Sequence, residues 1–339
     1  MPSREAYAPC VRPSARLAIA CLLGAGLLSA CAGSIATSPA PGAAGRSPGA
    51  SGAATCNTDA LPGWPTAGEV NTSGLIPVLA SSQKVVGTSR LVFTVIDQTN
   101  QPVASPDLHL QMAFYDLCAS PTRPTETLAP TFAWGIAGQR GFYIASPTLS
   151  RPGPWGVAVT TTDAWGRQAT AKLQFSVSAT GTTPPIGAPA PSVRTPTLAD
   201  VGGDVRRISS DPNPDPSLYV QSVDQALAAH EPFVLAFATP AFCTSAECGP
   251  TLDLVKTTVK ANAILAINVE PYELSWTGGR LQPVLQNGSF VPIKATDAYG
   301  IPTEPWLFVI GASGRVVASF EAVVAPAELL AAIKAAKAG

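Results

Sequence analysis

The chain has 339 residues, 21 basic and 22 acidic side chains and a formal net charge of -1; it lacks the broad positive field that holds a polyanion, which excludes non-specific nucleic-acid binding. Charged residues make up only 13%, while 34 prolines and 29 glycines crowd the chain, a mix that suggests folded modules joined by stiff linkers, and the absence of a Gly-X-Y period excludes collagen. At about 100 to 200 residues per domain, this length predicts two domains.

Arg4, Arg12 and Arg16 precede an apolar run from Leu17 to Ala30. A basic start followed by an apolar core reads as an export signal, and about 14 residues fall short of the roughly 20 that cross a bilayer. The run closes with Leu28-Ser29-Ala30-Cys31, which resembles the bacterial lipobox. That resemblance implies that residues 1–30 are a lipoprotein signal peptide and that Cys31 carries the lipid. The expected location is then the cell membrane, lipid-anchored on the extracytoplasmic face. Cys10 and Cys21 leave with the signal, so four cysteines remain beside Cys31: Cys56, Cys118, Cys243 and Cys248. An even number outside the reducing cytosol suits two disulfides. Residues 31–54 are mostly Ala, Gly, Ser, Pro and Thr, with no apolar periodicity, and are expected to be a disordered tether.

Residues 55–179 read as short strands. Leu91–Ile96 leads into a turn at Asp97 to Pro102, Leu108–Tyr115 alternates, and Trp155–Thr162 and Ala169–Val177 flank a turn at Asp163 to Arg167. Strands of this length with turn signals between them predict an all-β sandwich. Its strand rhythm and the segment Gly153-Pro-Trp-Gly-Val-Ala-Val159 resemble bacterial immunoglobulin-like modules of the FixH and YtkA type, which implies a module that presents or positions a partner. Cys56 precedes the first strand and Cys118 ends a central one, so a structural disulfide between them would pin the N-terminal arm onto the sandwich; the alternative is two free thiols. Residues 180–216 carry Pro184, Pro185, Pro189, Pro191 and Pro196, whose fixed φ predicts an extended Pro-rich linker.

From 217 to 339 the period changes. Val220–His230 is spaced as an amphipathic helix, Phe233–Ala238 is a continuous apolar run, Leu252–Lys260 is helical, and Ile264–Val269 is a second buried strand. Trp306–Ile310 and Val316–Phe320 follow as strands, and Pro326–Lys337 closes as a helix with proline in its first turn. The order α, β, α, β, long segment, β, β, α is that of an α/β thioredoxin fold.

Phe237-Ala-Thr-Pro-Ala-Phe-Cys243-Thr-Ser-Ala-Glu-Cys248-Gly-Pro250 resembles the strand-to-helix corner that carries the redox cysteines in the thioredoxin superfamily. Tyr299 to Ile310 with Gly314-Arg315-Val316 resembles the stretch bearing the cis-proline of its TlpA-like extracytoplasmic members. The resemblance implies thiol-disulfide exchange on exported proteins through Cys243 and Cys248, with Pro305 at the cis-proline position and Glu304 facing the pair. It leaves the attacking cysteine open, since Cys248-Gly249-Pro250-Thr251 itself resembles the family's Cys-Gly-Pro-Cys with Thr251 in place of the second thiol, which would make Cys243 an upstream resolving partner. A helix N-terminus suits such chemistry because its unpaired N–H groups and dipole favour thiolate, the attacking species. The spacing departs from the family's two intervening residues. Cysteines five apart in regular helix stand about 8.6 Å apart at Cα, beyond the roughly 7 Å a disulfide spans. Either the loop after Cys243 stays non-helical, as Pro250 favours, or oxidation unwinds a turn.

Three other readings compete. The pair could staple a loop permanently in a non-catalytic binding or scaffold lipoprotein. A peroxiredoxin of the single-helix cysteine type needs Thr or Ser three residues before the peroxidatic cysteine, where this chain has Pro240. A Sco-type Cu(I) site needs a histidine beside two cysteines, and only His109 and His230 exist, neither in the family's late histidine segment. Glu304 would raise the cysteine pKa or accept a proton; otherwise it is a solvated loop charge. Phe242 and Trp306 read as packing residues, and the polar stretch from Gly278 to Asn287 as a surface loop or part of a substrate groove. No phosphate-binding glycine loop, zinc spacing or Ser-His-Asp set can be assembled, so neither a cofactor nor a metal is expected.

Overall fold

Alternating burial organises the first half. The computed structural model describes residues 61–339 apart from 67, 68, 72, 73 and 164; the expected signal peptide, the Cys31 anchor, the 31–54 tether and Cys56 lie outside the described residues. Seven main strands follow in chain order: β1 (Ile76–Leu79), β2 (Leu91–Ile96), β3 (His109–Asp116), β4 (Thr131–Ile136), β5 (Arg140–Ala145), β6 (Gly153–Thr162) and β7 (Gln168–Val177). On β3, Leu110, Met112 and Phe114 point inward while His109 and Gln111 are exposed, as period-two patterning requires. One antiparallel sheet runs Val70–Asn71, β7, β6, β3, Glu126–Leu128; a second runs β1, β2, β5, β4. They share one core of Leu91, Phe93, Val95, Met112, Phe114, Trp155, Val157 and Val159 among others, the arrangement of a β-sandwich. At the end of β3, buried Asp116 receives a two-pronged Arg151 at 2.6 and 2.7 Å. Burial alone would raise its pKa, but the guanidinium and the Ala119 and Cys118 amides hold it below the usual carboxylate range. Cys118 is disulfide-bonded.

The second half is a mixed four-stranded sheet with helices on both faces. Its strands are β8 (Phe233–Phe237), β9 (Leu265–Val269), β10 (Trp306–Ile310) and β11 (Val316–Glu321), and its helices are α1 (Val223–Ala228), α2 (Cys248–Asn262), α3 (Lys294–Tyr299) and α4 (Pro326–Ala338). The order across the sheet is β9, β8, β10, β11. β8 is parallel to β9 and antiparallel to β10, which is antiparallel to β11. All five residues of β8 are buried, and alternation splits them: Val234 and Ala236 meet α2 and α4, while Phe233, Leu235 and Phe237 meet α1 and α3.

Several elements differ from the sequence reading. α1 stops at Ala228, and His230 takes φ 55°, a left-handed turn that ends the helix. α2 begins at Cys248 rather than Leu252, because Pro250 sits in the first turn, where its missing N–H leaves no bond unmade. β4, β5 and α3 escaped periodicity. The stretch taken as a polar loop folds into two hairpins, Leu274–Thr277 with Arg280–Pro283 and Leu285–Gln286 with Ser289–Phe290. Their turns use Gly278-Gly279 (φ 61° and 79°) and Asn287-Gly288 (φ 52° and 81°), the paired positive φ that two-residue hairpin loops demand.

Residues 180–216, expected as a linker, are packed rather than free. Gly187 and Ala190 donate backbone hydrogen bonds to Val316 and Gly314, Val316 donates to Ala188, and Thr195 and Thr197 are buried. The two halves also touch directly. Arg90 donates from Nε and Nη2 to Glu328 at 2.9 Å and from Nη2 to the Val323 carbonyl at 2.7 Å, and the Ser82 amide donates to Glu321 at 2.6 Å. Val92, Ala133, Phe142 and Ile144 of the sandwich form one buried cluster with Val323 and Ala325. Among the described residues no helix is long and apolar enough to cross a membrane.

Candidate functional site

Strand β8 delivers the chain to the corner, α2 takes it away, and the two cysteines sit on either side of the turn between them. Cys243 lies in the loop and Cys248 is the first residue of α2. With only one of them helical their Cα atoms are 6.1 Å apart and the sulfurs form a disulfide; in this oxidised form the loop from Cys243 is non-helical, as both routes require of the bridged pair. Between them Ala246 adopts φ 63°, a left-handed conformation that costs a non-glycine residue about 1 kcal/mol. The loop is tied down locally: the Phe242 amide donates to the Thr239 carbonyl, and the Glu247 amide donates to Ser245 Oγ at 3.4 Å. Ser245 Oγ also lies 3.3 Å from Cys243 Sγ. Cys248 is fully buried while Cys243 is partly exposed, so of the two sulfurs Cys243 is the more accessible.

One buried carboxylate, Glu304, lies against the pair, and two more, Glu270 and Glu247, are buried in the same region of the fold. Glu304 precedes Pro305 across a cis peptide bond. Its carboxylate and both cysteine sulfurs contribute atoms lying within 4.8 Å of one another. Burial, and secondarily the Glu270 charge, pushes the Glu304 pKa up to about 8, against hydrogen bonds from the Thr239 backbone and Tyr272. Glu270 follows β9 and receives the Ser210 amide at 2.5 Å and the Ser210 hydroxyl at 3.0 Å; burial pushes it up to about 7. Glu247 is 1% exposed. Burial raises its pKa, partly offset by Arg140 of strand β5, whose Nη1 donates to Glu247 Oε1 at 3.1 Å and to the Ser245 carbonyl. The sandwich thus grips the loop that joins the two cysteines. Oε2 of both Glu247 and Glu304 is buried without a hydrogen-bond partner.

Two cavities border the loop that carries the pair, one reaching Ser245 and Glu247 and the other Ala241 and Phe242. One of about 330 Å³ lies between the halves, lined by Arg140 and Phe142 on one side and by Ser245, Glu247, Thr303 and Glu304 on the other. The second, about 760 Å³, is bounded by Ala241, Phe242, Trp276, Arg280, Leu281 and Gln282, so the hairpin at 274–283 and Phe242 line a groove. Trp306 is buried, its indole N–H donating to Ser319 at 2.9 Å. The structure brings together Cys243, Cys248, Glu304 and Pro305. Arg140, Ser210, Glu247, Glu270 and Tyr272 were missed. Only Glu270 left a trace in the sequence, a charge directly after a buried strand.

No family model matches the chain and no curated protein matches it. Among solved structures, the soluble domain of PmoD from Methylocystis sp. ATCC 49242 (Rockwell) is 18% identical over 31% of this chain and 90% of that chain, with a TM-score of 0.19. A family 76 glycoside hydrolase from a bovine Bacteroides thetaiotaomicron strain is 13% identical over 33% of this chain and 20% of that chain, with a TM-score of 0.21. At these scores neither likeness carries an argument about fold or activity.

Proposed function

We propose that residues 217–339 form a thioredoxin-like domain performing thiol-disulfide exchange on exported proteins, with Cys243 as the attacking sulfur and Cys248 as the resolving one. The observation that carries this is the asymmetry of the pair: Cys243 is partly exposed in the loop, and Cys248 is buried at the head of α2. The sheet order β9, β8, β10, β11 with helices on both faces supports the fold assignment. The preceding sandwich is read as an immunoglobulin-like positioning module.

In the reducing direction the Cys243 thiolate attacks a substrate disulfide. Its sulfur bonds to one substrate sulfur, and the other substrate sulfur leaves as a thiolate that takes up a proton. Cys248 then loses its proton and attacks Cys243. The mixed disulfide breaks, the second substrate thiol departs, and two electrons and two protons have moved to the substrate. The Glu304 carboxyl is placed to exchange the Cys248 proton. By the family resemblance, Pro305 holds substrate backbone beside the pair. The reverse sequence oxidises a substrate dithiol.

Equilibrating the full chain in glutathione buffers and mapping alkylated cysteines by mass spectrometry gives the potential of this pair. We expect a value above about -300 mV, the range of exchangeable rather than structural bonds. Cys248→Ser should accumulate a mixed disulfide on Cys243, and Cys243→Ser should accumulate none. A potential below about -300 mV with no mixed disulfide in either variant leaves a structural staple. We further propose that the protein is exported and held at the membrane through lipid on Cys31; Cys31→Ala should release it to the soluble fraction and abolish fatty-acid labelling, and retention without labelling refutes the anchor.

A further inference from the structure

A buried carboxylate with an idle oxygen beside two sulfurs is an incomplete set of donors. Glu304 is 8% exposed, its Oε2 lacks a partner, and one ligand atom from each of Cys243, Cys248 and Glu304 falls within a 4.8 Å group. We propose that the reduced pair and Glu304 form a three-donor site for a divalent thiophilic cation of the Zn²⁺ class, its fourth position open toward the cavity between the halves. The inference shares with the exchange reading only the premise that the pair can be reduced.

The donor chemistry selects this class. Zn²⁺ takes cysteine sulfur at about 2.3 Å and carboxylate oxygen at about 2.0 to 2.2 Å in tetrahedral geometry, which separates two sulfurs by about 3.8 Å. Cysteines whose Cα atoms are 6.1 Å apart reach that separation by small side-chain rotations. Two thiolates are wrong for Mg²⁺ or Ca²⁺, which want oxygen alone. A carboxylate is a poor third ligand for Cu(I), which prefers soft sulfur. Three protein ligands and one open position is the pattern of zinc sites that bind a further molecule. Opening the site consumes one equivalent of an external dithiol, which is oxidised to its own disulfide as the Cys243–Cys248 bond is reduced. Both thiol protons leave to solvent as the cation binds, and a loaded site blocks exchange because both sulfurs are engaged.

The test uses the full chain, reduced with dithiothreitol and desalted without oxygen, then titrated with Zn²⁺ against a chromophoric chelator and separately with Co²⁺ as a spectroscopic probe. We expect one Zn²⁺ per chain in the reduced protein and none in the oxidised protein. Co²⁺ should give thiolate charge-transfer absorption and tetrahedral ligand-field bands. The Cys243→Ser/Cys248→Ser double variant, which keeps every other cysteine, should bind none. Glu304→Gln should weaken Zn²⁺ by at least about tenfold, the lower end of what losing even an outer-sphere partner does. Failure of the reduced wild type to take zinc from the chelator, an octahedral cobalt spectrum without thiolate absorption, or full affinity in Glu304→Gln overturns the site. The stoichiometry and cobalt spectrum of the wild type decide the matter even if Glu304→Gln does not fold. Repeating the glutathione equilibration with a chelator present measures the exchange potential free of metal, so loss of one property leaves the other standing.

Discussion

Phe142→Ala is expected to lower stability by about 3 to 5 kcal/mol, the usual range for an aromatic deleted from a core, and to split one melting transition into two. Phe142 is 5% exposed, yet it belongs to the cluster that joins β2, β4 and β5 to Val323 and Ala325 rather than to the sandwich core. Removing the ring therefore opens a void at the junction and leaves Trp155, Val157 and Phe114 packed in one half and Phe237, Leu235 and Phe308 in the other. The remaining junction ties described above are polar: Arg90 on Glu328 and the Val323 carbonyl, the Ser82 amide on Glu321, and Arg140 on Glu247 and the Ser245 carbonyl. Glu328 is partly buried, which opposes its charge, but the Arg90 fork wins and holds its pKa below the usual range. Ties of that kind are partly hydrated and contribute little beside an apolar seam. Calorimetry measures the coupling. A transition that stays single and shifts by less than about 1 kcal/mol would show that the halves are held together by something else.

How much could be read beforehand follows from what each feature depends on. β8, β9, β10 and β11 were visible within a residue or so because each is a continuous apolar run bounded by turn residues, a local property. The pair itself was visible as a motif, and the impossibility of bridging it within one helix followed from helix geometry alone. Glu304 was identified as facing the pair through the family resemblance, but its surroundings depend on Thr239 arriving from one other segment and Glu270 and Tyr272 from a second. Short strands such as Thr131–Ile136 carry too few residues for alternation to stand out, and its burial pattern is irregular. The left-handed Ala246 had no glycine to announce it. The prolines of 180–216 suggested an extended linker, while the turns at Leu198–Val201 and Val205–Arg207 and the hydrogen bonds to Gly314 and Val316 are set by contacts that leave no periodic mark.

Arg140→Ala is expected to destabilise the chain by about 2 kcal/mol at neutral pH and to change the reactivity of the Cys243–Cys248 bond. Arg140 and Glu247 are 107 residues apart in sequence, and the pair spans the junction. Removing one partner of a buried ion pair strands the other, which costs about 3 to 5 kcal/mol in full burial; here the Arg140 side chain is 37% exposed, so the smaller figure applies. The pH dependence has a definite sign. Burial raises the folded-state pKa of Glu247 and Arg140 pulls it back. The variant's folded pKa is therefore higher still, and an acid whose folded pKa exceeds its unfolded value loses stability as pH rises between the two. Wild type and variant should differ little near pH 4, where Glu247 is protonated in both, and diverge progressively above about pH 4.5. Chemical denaturation at several pH values checks this. The functional consequence runs through the loop, since the same guanidinium holds the Ser245 carbonyl next to the Ala246 turn that lets two cysteines five apart meet. With that grip gone, the loop samples conformations in which the sulfurs part, and the rate at which glutathione opens the bond should rise. Arg140→Lys, which keeps the positive charge but not the planar guanidinium whose Nη1 bonds both Glu247 and Ser245, should lie between. Reduction kinetics equal to wild type in Arg140→Ala, together with an unchanged glutathione potential, would mean that the sandwich carries the loop without governing it.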